Sequence, residues 1–96
     1  MSPTNIKKLN KLRRSLDKLD NSFIKLIKKR TDLVKQVLKL KHNKKEIVDK
    51  KRIKFILNQI RKKSKKNKID PMITNRIWKN MIYSYIDYER RNFKKK

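Results

Sequence analysis

The sequence predicts an all-α protein of three helices, one of them very long, in an intertwined helical homodimer. Apolar residues recur at steps of three and four along most of the chain, the period of one helix face, and no stretch alternates as a strand would. Glycine is absent and proline occurs twice, so few breakers interrupt a helix before residue 70. The apolar stripes also differ in length, and the longest is left short of cover within its own chain.

The first helix is written from about Ile6 to Leu40. Leu9, Leu12, Leu16, Leu19, Phe23, Leu26, Leu33, Val37 and Leu40 form its seam, and the polar run His42-Asn43-Lys44-Lys45 ends it. Such a helix of roughly 35 residues is about 50 Å long. The second starts at Asp49, an N-cap, with Val48 and Ile53 at the two positions of a hydrophobic staple. Ile53, Ile56, Leu57 and Ile60 carry it to about residue 64. The third starts at Asp70-Pro71, a cap followed by proline in the first helical position. Its broad face of Ile73, Ile77, Trp78, Met81, Ile82, Tyr85 and Ile86 reaches towards Glu89. Two shorter helices cannot easily cover a seam of about 50 Å, so a second copy of the chain is the expected cover. A plain coiled coil explains the first helix but not two capped shorter ones. Residues 1–96 read as a single domain.

The formal charge of +24 points first to nucleic acid. Composition supplies a different cause. There are 24 Lys against 8 Arg, no Gly and no Ala, while Ile and Asn abound, the signature of AT-rich codons. The lysines are scattered, with denser runs only at 62–68 and 94–96. A basic helical nucleic-acid-binding module is therefore the alternative reading, and nucleic acid is not the expected partner. Without cysteine there is no disulfide, thiol nucleophile or thiolate metal site, which fits a reducing compartment. The N-terminus lacks the apolar core of a signal peptide, and no run approaches the roughly 18 apolar residues of a membrane span. The expectation is a cytoplasmic, soluble protein with no membrane partner. A chain without glycine cannot supply a Gly-rich phosphate loop, and the one histidine, His42, sits in a lysine-rich helix end. No metal and no cofactor are expected, so any chemistry must work by positioning and charge.

Polar residues interrupt the seams at particular places. Arg30 stands between Leu26 and Leu33, where the pattern asks for leucine. Arg30, Val34, Val37 and Lys41 step by four, three and four, so two cations flank valines on one helix face. An ordinary structural explanation is that Arg30 pairs with a carboxylate and Lys41 snorkels from a helix end. Trp78, Ile82, Tyr85 and Glu89 repeat the spacing and place a carboxyl at the end of an apolar face. There the ordinary explanation is a salt bridge to a lysine.

Leu12-Arg13, Leu19-Asp20, Lys29-Arg30, Lys41, Asp49-Lys50-Lys51-Arg52, Asp70-Pro71 and Trp78, Ile82 and Glu89 follow one another along the chain. Taken together in register, over residues 9–92, they resemble the all-α AroQ-type chorismate mutases. The resemblance implies intertwined three-helix homodimers acting on a small dianion, chorismate, in aromatic amino-acid biosynthesis. It implies that Arg30 binds a substrate carboxylate and that Arg13 reaches across the interface to clamp a second one. Lys41 would donate to the ether oxygen and a neighbouring carboxylate, and Glu89 would be the other catalytic donor. Arg52 would add positive field, Asp49 would lie near the ring hydroxyl, Val37 and Ile82 would pack on the carbocycle, and Tyr85 would lie near a carboxylate.

The implied rearrangement of chorismate to prephenate needs no nucleophile, only a folded substrate and donors at the breaking ether bond. Glu89 can donate only when protonated, because an ionised carboxylate only accepts. Ile53 stands where the family often has a glutamate that contacts the substrate hydroxyl, and Tyr85 where it has a serine. An aromatic residue at 85 with an aliphatic one at 53 also resembles the isochorismate-pyruvate lyases, the alternative enzyme reading on the same fold.

Overall fold

Ser2 and Pro3 open the first helix. The Ser2 hydroxyl accepts from the Asn5 backbone N–H at 3.2 Å, and the Ser2 carbonyl accepts from Ile6 N–H at 2.9 Å. Proline then occupies the first helical position, where its missing N–H costs nothing. In the computed structural model, which describes residues 1–95, helix α1 spans Pro3–Lys39, α2 spans Lys50–Lys66 and α3 spans Pro71–Asn92. A single 3₁₀ turn, Lys44–Glu46, lies within the segment between α1 and α2. No strand occurs among the described residues, so the all-α expectation holds. The first helix starts three residues before Ile6 because Ser2-Pro3 is itself a start signal.

The chain divides into two compact units, Met1–Leu33 and a second beginning at Val34. The first unit consists almost wholly of α1 and buries none of its seam. Leu12, Leu16, Leu19, Phe23 and Leu26 are each between 57% and 63% exposed. Apolar periodicity fixes which face these residues share, but here that face meets no other part of its own unit.

In the second unit α2 packs against α3 around Ile47, Ile82 and Ile86. Leu38, Val48, Ile53, Ile56, Leu57 and Phe93 close over that cluster. Both helix starts are capped as their sequences predict: Asp49 accepts from Arg52 N–H at 3.0 Å, and Asp70 from Met72 N–H at 2.9 Å. Near the α2–α3 connection the hydroxyls of Ser64 and Thr74, both buried, share a hydrogen bond of 2.6 Å.

That connection carries the one positive-φ residue among those described, Lys68 at φ 57°. Ile69 N–H donates to Ser64 C=O at 2.9 Å and Lys68 N–H to Lys65 C=O at 3.2 Å, the two bonds of a Schellman C-cap. Glycine normally fills the left-handed position; this chain contains none. Replacing Lys68 by Gly removes the steric cost of the left-handed conformation, partly offset by a more flexible unfolded chain. Thermal unfolding of Lys68→Gly should show a gain of about 0.5–1 kcal/mol, roughly 4 °C in Tm.

Candidate active site

The last turn of α1 tightens as Leu40 N–H donates to Val37 C=O at 3.0 Å and Lys41 N–H to Leu38 C=O at 3.1 Å. Lys41 thus leaves the helix end beside α3. Its Nζ donates to Glu89 Oε1 at 2.9 Å, with side chains only 17% and 8% exposed. Glu89 reaches this depth because it follows Ile82 and Ile86 on the buried face of α3. The expected salt bridge therefore forms, and its lysine is the one the catalytic reading singles out. Burial makes the pair's integrity matter: two charges removed from water must satisfy each other, and either one alone is costly. Lys41 has three N–H donors and commits one here, which leaves two for a ligand.

Lys41 also lines an open cleft of about 660 Å³ with Glu46, Val48, Asp49, Lys50 and Lys51. That volume lies within the range of small-molecule sites. Three cations and two carboxylates on one rim suit a small anion that also carries a hydrogen-bond donor. Asp49 is here, as expected of a site residue, although one of its oxygens is engaged as the α2 cap. The Arg52 guanidinium lies over the Phe55 ring at 5.3 Å, a stacking that leaves its in-plane N–H donors open.

Val37 is half-exposed near the end of α1, and Tyr85 is half-buried on α3. Ile82 is part of the core with Ile47 and Ile86, so most of its surface is used within the fold. Arg13 is exposed and Arg30 half-buried on α1 of the first unit; neither forms an ion pair among the described residues. Within the second unit the structure thus pairs Lys41 with Glu89 and sets Lys41 in one cleft with Asp49. Sequence reasoning missed Glu46. Its signal was compositional: it is the only glutamate besides Glu89, three positions before Asp49.

Among the described residues no group of three or more His, Asp or Glu side chains could hold a metal ion. Nor is any described helix long and apolar enough to cross a membrane.

Comparison with known proteins gives this arrangement a context. The family described as chorismate mutase type II matches residues 12–90. A chorismate mutase of Methanocaldococcus jannaschii is 36% identical over 78 residues, covering 80% of this chain and 79% of the relative. No solved structure matches the chain significantly. With a family match running from Leu12 to Arg90 and such a relative, the chain belongs to the type II chorismate mutase family and is an isomerase of that family.

Proposed function

We propose that this protein rearranges chorismate to prephenate in aromatic amino-acid biosynthesis, as one cytoplasmic catalytic domain spanning residues 1–96. The observation that carries the reading is the buried Lys41–Glu89 pair, held between the end of α1 and the apolar face of α3. A pericyclic rearrangement needs a folded substrate and donors where negative charge develops, and this pair supplies two candidate donors at one point. Lys41 donates to the ether oxygen as its bond to the ring breaks. Glu89 supports it from the other side when it carries a proton. Arg30 and, across a dimer interface, Arg13 clamp the two carboxylates. Arg52 adds positive field, while Val37, Ile82 and Tyr85 border the ring and its carboxylates. The net charge of +24 draws the dianion towards the site.

The exposed seam of α1 supports an intertwined homodimer, because an apolar face of that extent is stable only when covered. A second copy brings a matching seam and the Arg13 that the site requires.

Purified protein incubated with chorismate should yield prephenate. Salicylate and pyruvate from isochorismate would identify the lyase instead. Inactivity on both substrates, with steeply salt-dependent binding to nucleic acid, would support the basic binding module.

The donor role of Glu89 makes a separate prediction. An amide is always a donor, so Glu89→Gln should keep kcat within about tenfold of the wild type, whereas Glu89→Leu should lower it by about 10²–10³-fold. Equal loss in the two variants removes a donor at this position from the chemical step.

A further inference from the structure

We infer that Glu46 determines specificity in the Lys41 cleft by accepting a hydrogen bond from the substrate's ring hydroxyl. The inference rests on the chorismate mutase reading. Glu46 ends the 3₁₀ turn, next to Ile47, which is 3% exposed and anchors the core. Its backbone is therefore pinned while its side chain faces solvent. It shares the cleft with Lys41, Lys50 and Lys51 and follows Lys44 and Lys45 in sequence, yet it forms no ion pair among the described residues. Among the described residues its side chain takes part in one hydrogen bond, a long one of 3.4 Å from the His42 backbone N–H to Oε1.

An unpaired carboxylate is a liability in a cleft meant for a dianion. It repels both substrate carboxylates, and it can only accept hydrogen bonds. What offsets that repulsion is a donor on the ligand. Chorismate has two carboxylates, an ether oxygen and one hydroxyl, so the hydroxyl is the only group that Glu46 can satisfy. The same charge disfavours a substrate bound with its ends exchanged. The neighbouring alternatives are less suitable. Asp49 already accepts from Arg52 N–H, and Ile53 packs against the core and offers no acceptor.

The test compares kcat/KM of the wild type, Glu46→Leu and Asp49→Asn on chorismate and on its analogue lacking the ring hydroxyl. Losing a hydrogen bond to a charged acceptor should lower kcat/KM of Glu46→Leu on chorismate by at least about tenfold. The same variant should match or exceed the wild type on the deoxy analogue, which also shows that it is folded. Equal loss on both substrates, or no loss on chorismate, overturns the assignment. A selective loss in Asp49→Asn alone moves the hydroxyl to Asp49 and overturns it as well. A wild type that turns over no chorismate refutes the mutase reading itself, and the inference with it.

Discussion

Mixing an Arg13→Ala chain with an Arg30→Ala chain should restore about a quarter of wild-type turnover, although each variant alone is nearly inactive. Equal amounts give heterodimers in about half of the population, and one of the two sites in each then has both arginines. The individual losses should be about 10²–10³-fold in kcat/KM, the scale for removing a preorganised charged donor. Lysine in place of Arg30 should recover little, because it keeps the charge but loses the planar fork that binds a carboxylate bidentately. Far-UV circular dichroism and sedimentation must accompany the assay. If both variants are folded and dimeric yet mixing restores nothing, Arg13 does not serve the neighbouring site. If Arg30→Ala unfolds or dissociates the protein, Arg30 is a structural member of the seam.

The second large effect concerns Lys41. Lys41→Met should lower turnover by about 10²–10³-fold. It should also destabilise the fold by about 3–5 kcal/mol, because Glu89 is left buried without its partner. A double variant separates these consequences. In Lys41→Met with Glu89→Leu, both charges give way to apolar groups, and a buried pair so replaced is often neutral or stabilising. Urea denaturation should therefore show recovered stability while turnover stays absent. Activity regained together with stability would mean that the pair only holds the helices together.

Much of this fold was legible because its signals are local. The caps at Asp49 and Asp70 and the proline after the second are decided within one turn of helix, and each stands in the structure, while Val48 and Ile53 both close over the core. Ser2-Pro3 carries the same logic as Asp70-Pro71, and the apolar pattern hid it because its first leucine comes later, at Leu9. The Lys41–Glu89 contact links residues 48 apart in sequence. Helical spacing placed each on an apolar face, but only packing decides which lysine among 24 meets the glutamate. Glu46 was illegible for the opposite reason. It lies on a short 3₁₀ turn, where the side-chain period of an α-helix no longer says which way a residue points.

The bare leucines of α1 have a consequence for how this protein must be assayed and how a cell must supply it. On the dimer reading, folding and site assembly are both bimolecular, so each depends on how many chains are present. Specific activity then ceases to be a constant of the molecule. Far below the dimer dissociation constant, measured rates should grow with the square of chain concentration, becoming linear only once most chains are paired. A dilution series would read that constant directly from catalysis, without any measurement of mass.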